Sequence, residues 1–428
     1  MPLVARNAAM LTRQCLAAGG GAWISAPERK NYVLNKTGHT KNDAAYLPHM
    51  CDTMPGLTTR KAAFFNWEPR GAGCSEMPGA KVTADVLAHH FCDKFAGKTV
   101  LIVGESINAQ LVFSFAHTLG APRFSYPVCD GSRVRRDTRS RVGVEGGKVF
   151  GYDMKLLRAL SYSSLVSVEA CEGPRAPVTI RFIKAFDLNF SYGLVPGRPT
   201  TDAELEDAAC AEAQGGWAGS SRSMFNLPWA TAATQADFIF LSRSGYPTGA
   251  IPHGVEAATR ANLEFLSQLP RQPRVIMRSS SFGIADCWTK PDPLPQPFVY
   301  DLKDPAVAKS RAVTVLHFHE APEVMEVEKR VFADAPPHIA YMNLHPATAM
   351  RPKGHHKSRH DCMHWCLPGP PDEWTRLSLA WWLQVGASAT SVSAMQDSMS
   401  SGLSRKTSNA APKRPVVAAH AAKAKPKA

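Results

Sequence analysis

Two short segments at opposite ends of the chain hold the residue types of a nucleophilic acyl-transfer site. The first, GESINAQ at residues 104–110, follows the apolar run TVLIV at 99–103 and places Ser106 where a helical pattern begins. The second, HDCMHWCLPGPPDEW at residues 360–374, sets Asp361 and His364 three residues apart, ahead of a Pro/Gly turn. A serine hydroxyl needs a base to take its proton and a carboxylate to orient that base. On a single turn Asp361 can hold one imidazole nitrogen of His364 while the other faces a hydroxyl, so one segment supplies both partners. Ser106 has a plainer use as well, since a serine at a strand-to-helix junction caps the helix. The catalytic use draws on the same place, because first-turn N–H groups and the helix dipole stabilise an oxyanion forming beside it.

The second segment also invites a metal. His355, His356, His360, Cys362, His364 and Cys366 include enough ligands for zinc, but their spacing matches no common zinc template and no second C-x-x-C or H-x-x-x-H lies elsewhere. The expectation is therefore no metal and no organic cofactor.

Positioning these groups falls to an alternation of strands and helices. Thr99 to Val103, Asp237 to Leu241, Arg274 to Met277 and His338 to Asn343 read as buried strands, and Ile107 to Leu119, Val255 to Leu269 and Glu323 to Ala333 as amphipathic helices between them. That order predicts a mainly parallel sheet with helices on both faces, the three-layer α/β plan. VTIRFIKAFDL at 178–188 reads as a strand in an insertion between the first two core strands. Gly104 permits the turn out of the first strand; Ile107, Leu111, Phe115 and Leu119 give the next helix one buried face, and Gly120 ends it. Pro371 and Asp372 start the last helix, whose stripe is Trp374, Leu377, Trp381 and Val385, ended by Gly386. Trp365 and Trp374 read as core packing. Arg278, at a strand end, is either an ion-paired arginine or a group that binds substrate or steadies the site.

With 428 residues, 44% hydrophobic and 9% aromatic, the chain can bury a large core. Three parts are expected: a basic, poorly ordered leader at 1–45, a globular body at 46–385, and a disordered Ala/Ser/Lys/Pro tail at 386–428. The net charge of +13 allows an anionic partner. Arg133, Arg135, Arg136, Arg139 and Arg141 form either a solvated loop or a contact for an acidic polysaccharide; they lack interleaved aromatics, so nucleic acid is not expected. Ten cysteines suit a secretory-pathway domain, and the N-x-S/T triplets at Asn35 and Asn189 agree. Arg13 and Gln14 interrupt the apolar stretch near the start, and no run approaches the roughly 18 apolar residues of a membrane span. The reading is a soluble protein or one whose N-terminal anchor is absent from this sequence.

VGESINAQ together with DCMHWCLPGPPDEW resembles the trichome-birefringence-like proteins of plants and algae, in the SGNH-hydrolase-like PC-esterase group. Members carry a Gly-Asp-Ser block after the first strand and an Asp-x-x-His block continuing as His-Trp-Cys-Leu-Pro-Gly-x-Pro-Asp-x-Trp. NWEPRGAGC at 66–74, VIMRSSS at 275–281 and MRPKGHH at 350–356 agree in order, so the resemblance spans roughly 46–385. It implies an SGNH-hydrolase-like three-layer α/β/α sandwich with insertions. It further implies a Golgi O-acetyltransferase that moves acetyl from a donor to a cell-wall or extracellular glycan, acidic ones included, with Ser106 as nucleophile, His364 as base and Asp361 orienting it. Two departures stand out. Glu105 replaces the aspartate of the first block, and LSRSGYP at 241–247 lacks the family's oxyanion asparagine, leaving Ser242 or Arg243 to substitute beside Gly104, Glu105 and Arg278. Cys74, Cys287, Cys362 and Cys366 are disulfide candidates; Cys362 and Cys366 tie the histidine's loop to the body, with Cys287 a partner for one of them. A carbohydrate acetyl-esterase using the same triad, or a glycan-binding relative with weak catalysis, stays open at this stage.

Overall fold

The structure, a computed structural model, describes residues 3–25, 65–75, 77, 82–121, 123–130, 133–140, 144–145, 148–149, 165–171, 175–185, 188, 201–206, 209, 227–243, 251–280, 283–314, 316–355, 362–367 and 369–384. Its strands are β1 (Gly21–Ser25), β2 (Phe65–Pro69), β3 (Thr99–Gly104), β4 (Arg123–Asp130), β5 (Arg133–Ser140), β6 (Val144–Glu145), β7 (Lys148–Val149), β8 (Leu165–Ala170), β9 (Val178–Lys184), β10 (Phe238–Leu241), β11 (Arg274–Arg278) and β12 (Ile339–Met342). The helices used below are α1 (Leu3–Ala18), α2 (Ala84–Lys94), α3 (Ser106–Thr118), α4 (Ala230–Gln235), α5 (Ile251–Ser267), α6 (Pro305–Ala308), α7 (Arg311–Thr314), α8 (Ala321–Phe332), α9 (His345–Ala349) and α10 (Pro370–Gln384).

Eight strands form one sheet in the order β12-β11-β10-β3-β9-β8-β4-β5. The first five run parallel, and β8, β4 and β5 extend the sheet antiparallel. Successive side chains of the parallel strands serve opposite faces. Val100, Ile102, Phe238, Phe240, Ile276 and Ala340 join a core with α2, α3 and α10, whereas Leu101, Val103, Ile239, Leu241, Val275 and Met277 join a second core with α4, α5 and α8. Each such buried Val, Leu, Ile or Phe stabilises the fold by roughly 1.5–3 kcal/mol relative to an exposed one. The expected α/β architecture with a mainly parallel sheet is therefore the fold of this protein.

Several elements differ from the sequence reading. β9 is no insertion: it pairs directly with β3, from Thr99 opposite Thr179 to Gly104 opposite Lys184. Arg133 to Arg139 are not in a loop but in β5, the outer strand of the antiparallel extension. A dense row of arginines suits a sheet edge, where charge discourages pairing with another chain; Arg141 lies outside the described residues. Helices α3 and α10 are buried on nearly every side rather than along one stripe, because each is sandwiched between neighbouring elements. Val385 and Gly386 fall outside the described residues, as do Asn35, Asn189 and the tail.

Residues 3–25 are helix and strand rather than a loose leader. A disulfide joins Cys15 to Cys74, β1 pairs with β2, and the Trp23 and Trp67 rings meet edge-on at 5.4 Å. The apolar groups that drive this, Leu16 and Trp23, are thinly spread among basic and small residues, which hid them in the composition. α10 grips the same β2. Glu373 accepts from the Trp67 N–H at 3.2 Å, and Arg376 donates to the Trp67 carbonyl at 2.7 Å while pairing with Glu373 at 2.9 Å.

Further disulfides link Cys92 to Cys171 and Cys287 to Cys362, and Cys366 is also disulfide-bonded. Bridges in this number persist in oxidising compartments, which points to the secretory pathway. No helix among the described residues is long and apolar enough to cross a membrane.

Candidate active site

The site is built where β3 gives way to α3, at the C-terminal edge of the parallel strands. Gly104 turns the chain with φ +153°, a conformation that side chains rarely adopt. A Cβ there would overlap the Asn108 amide and stand 2.8 Å from the Ser242 carbonyl oxygen. Gly104→Ala is accordingly expected to lower stability by about 2–4 kcal/mol, measured by urea unfolding. Ser106 is the first residue of α3, with Glu105 before it in extended conformation. Its Oγ lies 2.7 Å from His364 Nε2 and 2.7 Å from Glu105 Oε2. Serine and histidine are 258 residues apart in sequence and in hydrogen-bond contact in space.

His364 is delivered by a loop fixed on both sides. Before it, Cys362 is bonded to Cys287, and its carbonyl accepts from the Ile284 N–H at 3.1 Å. After it, Gln110 clasps Trp365: the amide Nε2 donates to the Trp365 carbonyl at 2.7 Å and Oε1 accepts from the Trp365 N–H at 2.9 Å. The Trp365 ring stacks on His355 at 3.8 Å, and the Cys366 N–H donates to Gly354 at 2.8 Å. One turn of helix separates Gln110 from Ser106, so α3 positions the nucleophile with one residue and the histidine loop with the other. Gln110→Ala is expected to slow acylation of Ser106 by about 10- to 100-fold through loss of alignment. The two Trp365 backbone groups left unbonded should cost about 1–3 kcal/mol of stability. Paired measurements of acylation rate and urea unfolding on the variant check both.

Behind the turn lies a buried polar network. Arg278, fully buried, donates through Nη2 to Asn108 Oδ1 at 3.0 Å and to Ser242 Oγ at 2.5 Å, and through Nη1 to the Ser279 carbonyl at 3.0 Å. Its guanidinium stands 4.9 Å from the Trp374 ring. Burial lowers its pKa to about 10, against the opposing pull of Glu105, Glu328 and Tyr341. Ser242 Oγ in turn donates to Asn108 Oδ1 at 2.9 Å, and the Asn108 amide donates to the Val103 carbonyl at 2.6 Å. Arg243 lies 3.9 Å from Glu328, a buried carboxyl pushed up to about 7 by desolvation.

The expected residues thus divide. Ser106, His364 and Glu105 meet at hydrogen-bond distance; Gly104 makes the turn; Arg278 and Ser242 brace it through Asn108. The Ser242 hydroxyl is bonded within that network, and Arg243 stands 3.9 Å from Glu328. Asp361 lies outside the described residues. Among the cysteines, Cys74 is bridged to Cys15, and Cys287 to Cys362. Sequence reading passed over Asn108, Gln110 and Glu328. The signal for the first two was present: an amide pair in the first turns of the helix SINAQLVFSFAHT, two and four positions after the serine.

No curated protein matches the chain. Residues 308–381, which carry α8, β12, α9, the His364 loop and most of α10, match the PC-Esterase family model, described as a GDSL/SGNH-like acyl-esterase family found in Pmr5 and Cas1p.

Proposed function

We propose that this protein is an O-acyltransferase, specifically an O-acetyltransferase of a cell-wall or extracellular polysaccharide, working in the Golgi through an acyl-enzyme on Ser106. The observation that carries the chemistry is the 2.7 Å contact between Ser106 Oγ and His364 Nε2 at the N-terminus of α3. In the first half-reaction Ser106 Oγ attacks the acetyl carbonyl of the donor and its proton passes to His364 Nε2. The donor's leaving group departs with that proton, and acetyl-Ser106 forms. In the second, a sugar hydroxyl gives its proton to His364 and attacks the acetyl carbonyl, and the proton returns to Ser106 as the ester leaves. Asp361, three residues before His364, holds the imidazolium in this scheme.

Negative charge on the carbonyl oxygen is met at the N-terminus of α3, ahead of Asn108 and Ala109, whose N–H groups donate to the Glu105 carbonyl, and by the positive end of the helix dipole. With the side-chain amide of the family's asparagine absent at 242–243, the backbone carries more of this task. One missing oxyanion donor lowers a rate by about 10²- to 10³-fold, so turnover is expected to be slow. Acetyl, glycan and Golgi are supported by the motif resemblance, and an oxidising compartment by the disulfides.

Mass spectrometry of the purified, oxidised protein after an activated acetyl ester, followed by addition of candidate glycans, tests the proposal. Acetyl passing from protein to glycan is the expected result. Acetyl lost to water at the same rate with every glycan would make the protein an esterase instead.

A further inference from the structure

Ser106 has one hydroxyl proton and two acceptors within reach. Oγ stands 2.7 Å from Glu105 Oε2 and equally 2.7 Å from His364 Nε2. An ionised carboxylate accepts hydrogen bonds and cannot donate them. With Glu105 ionised and the His364 ring carrying hydrogen on both nitrogens, Nδ1–H for the proposed bond to Asp361 and Nε2–H toward Ser106, the hydroxyl points its hydrogen at Oε2 and the second contact is made by Nε2–H donating to Oγ. An imidazole carrying hydrogen at Nε2 has no lone pair there to receive the serine proton. Attack requires the other arrangement, with the hydroxyl hydrogen on the line to Nε2 and the Glu105 bond given up.

The surroundings favour the first arrangement. Glu105 is fully buried, and its other oxygen, Oε1, has no hydrogen-bond partner, so the Ser106 hydroxyl is the donor its carboxylate holds. Arg278, buried behind it, supplies the opposite charge. An aspartate at this position would be one methylene shorter and would withdraw the carboxylate by about 1.5 Å. The reach that brings Oε2 onto Oγ therefore belongs to the glutamate.

We propose that Glu105 is a latch on the nucleophile, holding the Ser106 proton away from His364 and lowering the fraction of molecules poised to attack an acyl group. This rests on the reading of Ser106 as nucleophile and His364 as base. It makes Glu105 a brake on acylation, in contrast to a residue that merely shapes the turn.

The test is the second-order rate at which a fluorophosphonate labels the full-length, oxidised protein, compared among wild type, Glu105→Asp, Glu105→Gln and Ser106→Ala, with thermal unfolding to establish that each variant is folded. Glu105→Asp keeps a charge for Arg278 and releases Oγ, and a charge-assisted hydrogen bond is strong enough that labelling should rise about tenfold. A rate at or below wild type in folded Glu105→Asp overturns the latch and makes Glu105 a support for the serine. If Glu105→Asp does not fold, Glu105→Gln carries the same expectation and the same refutation, because its amide can donate to Oγ and leave the serine proton to His364. Labelling that survives Ser106→Ala overturns the nucleophile assignment itself, an outcome separate from any effect of residue 105.

Discussion

His364→Ala is expected to lower the rate of Ser106 acetylation by about 10⁴-fold or more while changing the unfolding midpoint little. The rate effect follows from removing the group 2.7 Å from Oγ that takes its proton. Stability should hold because the loop is anchored by its other members: Cys362 through its disulfide, Trp365 through Gln110, and Cys366 through Gly354. His364 itself is only partly buried. Residues that act as one unit do not add, so the double variant Ser106→Ala/His364→Ala should be no slower than the worse single one. Turnover of an activated acetyl ester by the three variants checks this, with near-ultraviolet circular dichroism reporting the fold.

Arg278→Met is expected to have the largest effect on stability, about 3–5 kcal/mol by urea unfolding. Arginine and methionine fill similar space, so the loss is mainly electrostatic. The variant leaves Glu105 buried without its opposite charge and takes two hydrogen bonds from the Asn108 and Ser242 pair. Removing one partner of a buried charged pair costs about this much, whereas removing both leaves no uncompensated charge. Adding Glu105→Gln to Arg278→Met should therefore recover part of the lost stability, giving a coupling of about 1 kcal/mol or more in the double-mutant cycle. Strict additivity would place the Arg278 contribution in packing against Trp374 instead.

Much of the parallel half of the fold was legible because its strands are short, continuous apolar runs that a buried strand requires. TVLIV, DFIFL, RVIM and HIAYMN all fall within a residue or two of β3, β10, β11 and β12. The antiparallel half was not legible. β5 reads RVRRDTRS, whose arginines mask a strand that earns its place by lying at an edge. β1 and α1 were missed for a different reason: they are held by a disulfide, by pairing with β2 and by side-chain bonds from Thr12, Arg13 and Trp23 to distant residues, and none of these alters local periodicity.

At the site, Ser106 and His364 were readable from residue type and position, since few other groups can do this chemistry beside a strand-to-helix turn. The supports were harder to see. Arg278, Asn108 and Ser242 come from three separate elements, and only the sheet order β11-β10-β3 brings them together. Gln110 could be seen as one of an amide pair in the first turns of α3, but its partner is backbone, which carries no sequence mark. The double contact of Ser106 depends on the rotamer of Glu105, a feature below the level at which a sequence pattern speaks.

The most direct test of the central claim is peptide mapping of the purified protein quenched shortly after exposure to an activated acetyl ester, with His364→Ala treated in parallel. The account predicts acetyl on the peptide containing Ser106 in the wild type and its near absence in the variant. Acetyl located on another residue, or an equal yield on Ser106 without His364, would contradict the pairing of these two side chains as nucleophile and base.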